Sequence, residues 1–268
     1  MIKAIVAGAA GKMGGRNIHM VKDADGIELV AAFEKPGHAA VGQDVGDVAG
    51  LGKMGIPISG GLESVIDKGD VIVDFTYHTA SLEHVRLAAR HKKAIVVGTT
   101  GFMPDELSEI KKMAGEVRCV VAPNMSVGVN VLYKLVQEAA RLLGDGYDVE
   151  IVEAHHRLKK DAPSGTAIKL AQVIADTLGR NLEKAGIYAR HGMIGERTAQ
   201  EIGIQTVRGG DIVGEHTILF AGMGERIEIT HRAHSRDNFA RGAIRAAKWI
   251  VGQPNGVYDM QDVLGLKK

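Results

Sequence analysis

Titratable residues are concentrated in one stretch of the sequence, residues 150–167. It contains His155 and His156, then Lys159 and Lys160, and it ends in Pro-Ser-Gly-Thr-Ala. Imidazole and ammonium groups are common proton donors in enzymes. Cationic side chains beside a helix N-terminus attract anions, because the first N–H groups of a helix have no partner within it. The stretch therefore indicates a site that binds a small anion and delivers a proton to it.

Two elements should position these side chains. Apolar and polar residues alternate up to His155, which predicts a strand with Glu153 and His155 on one face. Lys159, Lys160 and Asp161 follow in a predicted loop. A helix should then open at residues 163–166, since apolar residues recur at helical spacing from there. These apolar residues are Ile168, Leu170, Ala171, Ile174, Ala175 and Leu178.

The run of residues 150–167 resembles the signature of the dihydrodipicolinate reductase family, also called the 4-hydroxy-tetrahydrodipicolinate reductases, of diaminopimelate and lysine biosynthesis. Every fixed position of the pattern Glu-Ile-x-Glu-x-His-x-x-x-Lys-x-Asp-x-Pro-Ser-Gly-Thr-Ala is filled. The resemblance implies that a cyclic dicarboxylate receives a hydride from NADH or NADPH and that the resulting enamine is then protonated.

The resemblance also implies roles for individual residues. His155 and Lys159 are the candidate catalytic residues, and either one is a candidate proton donor. The implied carboxylate-binding residues are His156, Lys160, Ser164, Gly165 and Thr166. Gly165 and Thr166 would act through backbone N–H groups, with the Thr166 hydroxyl adding a bond. No metal site is expected, because adjacent strand histidines face opposite ways and no third histidine or cysteine pair is near.

A glycine-rich turn follows the first predicted strand. Gly8, Gly11 and Gly14 lie between an apolar run and a predicted helix, as in dinucleotide-binding turns. A second strand, residues 28–33, ends at Glu34, which can accept bonds from the adenosine ribose, and Lys35 can hold a 2′-phosphate. Many family members have arginine where this chain has Lys35. The predicted cofactor-binding residues of this region are Gly8, Ala9, Ala10, Gly11, Lys12, Met13, Glu34 and Lys35.

Three more predicted strands, residues 70–76, 94–98 and 117–121, end in polar or small residues. Helical patterns separate them, which predicts a parallel, doubly wound sheet with ligands at the carboxyl ends of its strands. The clusters resemble family motifs that line the nicotinamide side of the cofactor, although Tyr77 stands where some members have arginine. Their predicted cofactor-binding residues are Phe75, Gly98, Thr99, Thr100, Ala122, Pro123, Asn124 and Met125.

We therefore predict an α/β protein of two domains. Residues 1–126, completed by 236–268, should form a Rossmann-type dinucleotide-binding domain. Residues 127–235 should form a smaller α+β domain with an open mixed sheet, for substrate binding and oligomerisation. Residues 37–61 are predicted to be mainly loop. His216 and His231 lie in predicted strands, where packing is a commoner role for histidine than catalysis.

Composition narrows the classes of partner. Lys and Arg number 33 against 32 Asp and Glu, which argues against nucleic acid or an anionic membrane as partner. The single cysteine, Cys119, lies in an apolar run and suits a reducing compartment. The apolar start, Ile2 to Ala10, is short and predicts a strand, not a signal peptide. We expect a cytoplasmic enzyme, and the family resemblance together with the thinly covered strands predicts a homotetramer.

Two other functions fit parts of the pattern. One is a different nicotinamide-dependent dehydrogenase of a small amino or imino acid, which substrate screening would distinguish. The other is a nucleotide sensor without catalysis, which would bind cofactor but show no turnover. His155 and Lys159 argue against the sensor, because a sensor needs no proton donor.

Overall fold

A computed structural model of the chain describes residues 1–267. They form two compact units, residues 1–127 with 237–267, and Gly128–Arg236. Each boundary lies one residue from the position expected from the sequence. The strands are β1 (Ile2–Ala7), β2 (Ile27–Glu34), β3 (Ile58–Gly60), β4 (Val71–Asp74), β5 (Ala94–Val97), β6 (Arg118–Val121), β7 (Asp148–His155), β8 (Gly186–Ile187), β9 (Ile202–Arg208), β10 (Gly214–Ala221), β11 (Arg226–Ala233) and β12 (Gly256–Tyr258).

The α-helices are α1 (Lys12–Lys22), α2 (Val45–Ala49), α3 (His78–Arg90), α4 (Pro104–Lys112), α5 (Val127–Leu143), α6 (Gly165–Thr177), α7 (Leu182–Ala185), α8 (Asp237–Ile250) and α9 (Met260–Val263). No helix within residues 1–267 is long and apolar enough to cross a membrane.

The first unit contains a seven-stranded sheet in the order β3-β2-β1-β4-β5-β6-β12. All of its neighbouring strands are parallel. The chain order reverses between β1 and β4, which is the arrangement of a doubly wound Rossmann-type sheet. The predicted fold class of this unit is confirmed. Ligands of such sheets bind outside the carboxyl ends of the strands at the reversal point.

Strand alternation divides the core of this unit into two apolar layers, one on each face of the sheet. On one face Val6 and Val73 pack with Ile18 of α1 and Ala247 of α8. On the other face, side chains of β1, β4 and β5 pack with residues of α3 and α4. Those residues are Ile5, Ile72, Ile95, Val85 and Ile110. The strands are buried on both faces, which explains their nearly continuous apolar sequence.

The second unit contains a five-stranded mixed sheet in the order β11-β10-β7-β9-β8. β7 is parallel to β9 and antiparallel to β10, as the predicted open mixed sheet requires. One face of the sheet is covered by apolar residues of α5 and α6, among them Leu132, Val136, Leu170 and Ile174. β7 is the central strand, so its side chains on that face are enclosed from both sides.

The structure refines some sequence-based expectations. Residues 37–61 are mainly loop, as predicted, but they also contain two short elements, α2 and β3. Asp44 organises them by accepting from the N–H of Gly46 at the start of α2 and from the N–H of Met54 and Gly55. α1 begins at Lys12, within the predicted glycine turn. α7, β8, β12 and α9 have two to four residues each, too few for a periodic pattern to reveal.

Candidate active site

The face of β7 that packs against α5 and α6, its inner face, changes from apolar to polar along the strand. Val149 and Ile151 lie in the apolar core, and Glu153 and His155 follow on the same face, as predicted. The adjacent positions on β9 change in the same way, with Thr206 beside Glu153 and Arg208 beside His155. On β10, His216 lies opposite Glu153. The register therefore gathers polar side chains from three strands at one end of the inner face.

The carboxylate of Glu153 is the centre of this polar group, and it is fully buried. Arg208 binds it in a bidentate manner, with Nη1 to Oε2 and Nη2 to Oε1 both at 2.8 Å. His155 Nδ1 lies 2.6 Å from Oε2, and the Ser164 N–H donates to Oε1 at 2.9 Å. The Thr206 hydroxyl donates to Oε1 at 3.3 Å. One carboxylate thus joins two strands to the start of α6.

These contacts set the ionisation of Glu153 and His155. Burial raises the pKa of Glu153, but the bonds from Arg208, His155 and the Ser164 N–H outweigh it and lower the pKa to about 2. Burial lowers the pKa of His155, and the Glu153 carboxylate opposes part of this shift. Glu153 is therefore an anion at neutral pH, and it favours the protonated form of His155 against the effect of burial.

A turn after β7 brings Lys159 back towards the strand end. The Lys159 N–H donates to the His156 carbonyl at 3.0 Å, and the Gly209 N–H donates to the His155 carbonyl. Lys159 Nζ lies 2.9 Å from Asp161 Oδ2. Arg208 Nη2 donates to the Asp161 carbonyl at 2.7 Å, so the same guanidinium holds Glu153 and this turn.

His156 and Lys160 differ in their surroundings. The Nδ1 atom of His156 is buried and has no hydrogen-bond partner among residues 1–267. Lys160 is exposed. A buried imidazole nitrogen without a partner costs stability, which a ligand that supplies the missing bond would restore.

The N-terminus of α6 is shaped by Ser164. Its hydroxyl caps the helix by accepting from the Ala167 N–H at 3.2 Å. The same oxygen lies 3.1 Å from His216 Nε2, so the Ser164 side chain points into the unit. Gly165 is the first residue of α6, and N–H groups at this position lie outside the helical ladder. Thr166 bonds to Tyr133, whose pKa is raised by burial, against that bond, to about 12.

His216 and His231 are adjacent on β10 and β11. His216 is 4% exposed, and burial lowers its pKa to about 3, with His155 adding to the shift. Its ring lies edge-on to that of His155, with 5.3 Å between the ring centres. Burial also lowers the pKa of His231. Both are therefore neutral at pH 7, and His216 packs against the candidate site through Ser164 and His155.

The glycine turn of the first unit has the geometry of a phosphate-binding turn. Gly8 has φ +63°, and the Gly11 N–H donates to the Gly8 carbonyl at 2.9 Å. A Cβ on Gly14 would lie 1.9 Å from that carbonyl oxygen, so the close approach of α1 to β1 requires glycine. No side chain within residues 1–267 caps α1. The uncapped terminus fits a pyrophosphate group.

Glu34 ends β2 beside this turn, as predicted. Its Oε1 accepts from the Ala10 N–H at 3.0 Å, which ties the acidic residue to the turn. The Ala9 N–H donates to the Phe33 carbonyl at 3.2 Å. Lys35 is exposed directly after the strand. The structure therefore brings together Glu34 and residues 8–11, with Lys35 next in the chain.

A buried hydrogen-bond network lies at the carboxyl ends of β4 and β5. Asp74, which is fully buried, accepts from the Thr76 N–H at 2.9 Å and lies 2.7 Å from His84 Nδ1. Thr76 bonds to Ser81, and Ser81 lies 2.7 Å from the Thr99 hydroxyl. The network links the two strand ends and holds Thr99, a predicted cofactor residue, in place.

The other predicted cofactor-binding residues at the carboxyl ends of β4, β5 and β6, called the rim residues, are arranged around this network. The Phe75 ring covers Gly98 so closely that a Cβ there would lie 2.3 Å from the ring. Ala122 and Met125 are buried, and Asn124 Oδ1 accepts from the Ser126 N–H at 2.9 Å. Thr100 and Pro123 are exposed. All of these residues follow β4, β5 or β6, and hence lie at the carboxyl edge of one sheet.

Sequence reasoning did not identify three residues that support the candidate sites. Arg208 and Thr206 lie more than 50 residues from Glu153 along the chain, and only the register of β9 against β7 brings them to it. His84 lies on α3 and bonds to Asp74. A signal did exist for Glu153, because a carboxylate two residues before a strand histidine must share its face.

The Rossmann-type sheet with its glycine turn, and a second unit that presents proton donors beside a helix N-terminus, define a nicotinamide-dependent oxidoreductase. Comparison with known proteins specifies this class further. Residues 2–125 match the model for the N-terminal part of dihydrodipicolinate reductase, and residues 128–264 match the model for its C-terminal part.

Similar proteins cover the whole chain. The 4-hydroxy-tetrahydrodipicolinate reductase of Syntrophobacter fumaroxidans is 60% identical over 267 residues, covering 100% of both chains. The enzyme of the same name from Desulfotalea psychrophila is 59% identical, covering 100% of this chain and 99% of the relative. A dipicolinate-bound dihydrodipicolinate reductase from Paenisporosarcina sp. TG-14 superimposes with a TM-score of 0.76 at 29% identity, covering 98% of each chain.

The chain belongs to the dihydrodipicolinate reductase family. It is accordingly a reductase of lysine and diaminopimelate biosynthesis that uses a nicotinamide cofactor. The resemblance drawn from residues 150–167 is confirmed.

Proposed function

We propose that the chain reduces 4-hydroxy-tetrahydrodipicolinate to tetrahydrodipicolinate, with residues 150–167 binding the substrate and delivering the proton. The observation that carries this assignment is the arrangement around Glu153. One buried carboxylate contacts His155 and the Ser164 N–H at the start of α6, while its partner Arg208 holds the turn that contains Lys159. A proton donor, a cation and a helix N-terminus are thereby held together.

The substrate carboxylates are bound by His156, Lys160, Ser164, Gly165 and Thr166. Support comes from the N-terminus of α6, where N–H groups and the helix dipole favour an anion. The Ser164 hydroxyl already caps the helix and contacts His216, so Ser164 contributes mainly by holding this terminus in shape. The related protein from Paenisporosarcina carries dipicolinate, a cyclic dicarboxylate, which is consistent with this class of ligand.

His155 and Lys159 are the catalytic residues. The dihydronicotinamide supplies the hydride. His155, oriented by Glu153, is suited to donate a proton and to take up another one from solvent, because an imidazole titrates near neutral pH. Lys159 Nζ lies 2.9 Å from Asp161 and provides positive charge beside the site. In this assignment His155 delivers the proton, and Lys159 stabilises the negative charge of the substrate and of its transition state.

The first unit binds NADH and NADPH. The glycine turn and the uncapped start of α1 hold the pyrophosphate, and Glu34 accepts bonds from the adenosine ribose. Lys35, exposed beside Glu34, contacts the 2′-phosphate of NADPH as a point charge. The rim residues at the carboxyl ends of β4, β5 and β6 line the nicotinamide side.

Oxidation of the reduced cofactor at 340 nm tests the function directly. Freshly prepared 4-hydroxy-tetrahydrodipicolinate should be reduced with either NADH or NADPH, and added dipicolinate should inhibit in competition with the substrate. A panel of small amino acids with the oxidised cofactors should give no turnover. Absence of reduction, or faster oxidation of an amino acid, would overturn the assignment. Cofactor binding without any turnover would favour the nucleotide sensor.

A further inference from the structure

A histidine at the end of a strand can rotate about its side-chain bonds and can carry its proton on either nitrogen. Neither freedom suits a residue that must deliver a proton to one carbon atom. In this chain His155 Nδ1 is fixed 2.6 Å from Glu153, and Glu153 is fixed by Arg208 and by the Ser164 N–H. The ring is 11% exposed, and Nε2 makes no hydrogen bond within the described residues 1–267.

We propose that Glu153 is the positioning residue of the reaction. Its carboxylate, clamped by Arg208, holds His155 with Nδ1–H towards Glu153 and leaves Nε2 as the atom that delivers the proton. The Glu153 carboxylate also accepts from the Ser164 N–H. It thereby connects the His155 ring to the N-terminus of α6, where the substrate carboxylates bind. The proposal rests on the proposed function, since it assigns a role to a residue that supports the proton donor.

The tautomer follows from the chemistry of the pair. An ionised carboxylate only accepts hydrogen bonds, so the His155 nitrogen that faces it must carry a hydrogen. The five donor groups around Glu153, from Arg208, His155, Thr206 and Ser164, are arranged to keep it ionised. Neutral His155 therefore has Nδ1–H and an Nε2 lone pair, and protonated His155 differs only by the hydrogen on Nε2.

The proton balance is then complete. The substrate first loses its 4-hydroxyl group as water, with a hydrogen from the neighbouring carbon, and this gives a conjugated imine. A hydride then adds to one carbon of this imine and leaves an enamine, whose carbon takes the hydrogen of His155 Nε2. The N–H bond of Nε2 breaks as the new C–H bond forms, and His155 becomes neutral without moving its bond to Glu153. The proton that the reaction consumes then comes from the bulk solvent and returns to Nε2. No reorientation of the ring is needed between turnovers.

Charged and titratable groups face His155 from each neighbouring element. Glu153 lies on β7, Arg208 on β9 and Lys159 on the following turn, while His216 on β10 contacts the ring edge-on. Burial lowers the pKa of His155, Lys159 and Arg208 lower it further, and Glu153 alone among the four raises it. Loss of the Glu153 charge should therefore make His155 a weaker base and shift its titration to lower pH.

Glu153→Gln tests the proposal because it removes the charge and keeps the size of the side chain. Glu150→Gln is a matched control, since Glu150 is on the same strand and also holds a bidentate arginine, Arg190, but does not contact His155. We expect Glu153→Gln to lower kcat at pH 7.5 on the order of 10- to 100-fold, the range found for carboxylates that orient metal-binding histidines. Glu150→Gln should stay within about threefold of the parent protein.

The pH profile separates this role from a structural one. A proton donor acts only while protonated, so kcat falls as pH rises through its pKa. In Glu153→Gln this alkaline limb should move to lower pH by roughly one unit or more, and part of the lost activity should return at acidic pH. A variant that is slower at every pH by the same factor, with the limb in its parental position, would overturn the proposal.

A measurement on the parent protein covers the case in which Glu153→Gln does not fold. Nitrogen-15 NMR of the histidine-labelled protein, with bound oxidised cofactor, reports which ring nitrogen of His155 carries hydrogen. Assignment uses a His155→Gln sample. We expect the Nδ1–H tautomer in neutral His155, and an Nε2–H tautomer would overturn the proposal. Failure of the proposed function would instead appear as a parent protein without turnover, whichever tautomer it has.

Discussion

His216 should make the stability of the protein sensitive to mild acid. It is 4% exposed, and its pKa in the folded chain is about 3, against 6.5 for an ordinary histidine, because burial disfavours its charged form. Below pH 6.5, His216 therefore binds a proton in the unfolded chain but stays neutral in the folded chain. Because the pKa of His216 is lower in the folded chain, its contribution to the free energy of unfolding is fully present above pH 6.5. This contribution is lost progressively as the pH falls towards 3.

The size of the effect follows from the two pKa values. Between pH 7.5 and pH 4.5 the unfolded histidine becomes almost fully protonated while His216 in the folded chain stays neutral. Two pH units below the unfolded pKa, at about 1.4 kcal/mol per unit, give a loss of about 3 kcal/mol. The pKa of Glu153, about 2, lies below this window.

Urea unfolding followed by far-UV circular dichroism measures the free energy of unfolding across this window. His216→Gln keeps an amide N–H that can donate to the Ser164 hydroxyl but cannot be protonated. The difference in free energy between parent and variant should shrink by about 3 kcal/mol from pH 7.5 to pH 4.5. His191→Gln, which changes an exposed histidine of the same unit, should follow the parent at each pH. A parent-to-variant difference that is constant over the window would refute the reasoning.

Further predictions concern catalysis, cofactor binding and assembly. Lys159→Ala should lower kcat by roughly 10²–10⁴ with little change in cofactor Kd, whereas a higher KM with normal kcat would limit Lys159 to ground-state binding. Lys35→Ala should weaken NADPH roughly tenfold more than NADH, and equal losses would remove Lys35 from the 2′-phosphate site. Gly14→Ala should weaken cofactor binding because its Cβ would lie 1.9 Å from the Gly8 carbonyl, while Gly15→Ala, which meets no atom within 4 Å, should not. Light scattering should give the mass of four 28.5 kDa chains, and a monomer mass at micromolar concentration would contradict the proposed tetramer.

The elements of the first unit could be predicted because their patterns are local. An apolar run, a glycine turn and an amphipathic helix follow one another within residues 2–22, and the acidic residue comes at the end of the next strand. Each feature depends on neighbours a few residues away. Segments whose order depends on distant contacts were missed: β3 pairs with β2, and β12 pairs with β6, about 140 residues before it.

In the candidate site, too, the features that depend on local sequence could be predicted, and those that depend on distant strand pairing could not. The position of His155 beside Glu153 follows from strand alternation, and the start of α6 follows from the Ser164 cap and the apolar spacing after it. The bond between Glu153 and Arg208 follows from neither. It depends on β9 pairing in parallel with β7 so that Thr206 lies beside Glu153, and a shift of one residue would place Arg208 on the opposite face.

Cross-strand rows of apolar side chains in the second sheet fix the register of β9 against β7. Val149 lies between Ile202 and Phe220, and Ile151 lies between Ile204 and Ile218, on a face that α5 and α6 cover. A shift of one residue would expose these side chains, at about 25 cal/mol for each Å² of apolar surface returned to water. The apolar rows thus fix the next row, Glu153 with Thr206 and His216, where the chain places its buried charge. The register that packs the core also assembles the site, so a core substitution in β9 that permits slippage should impair catalysis before it unfolds the protein.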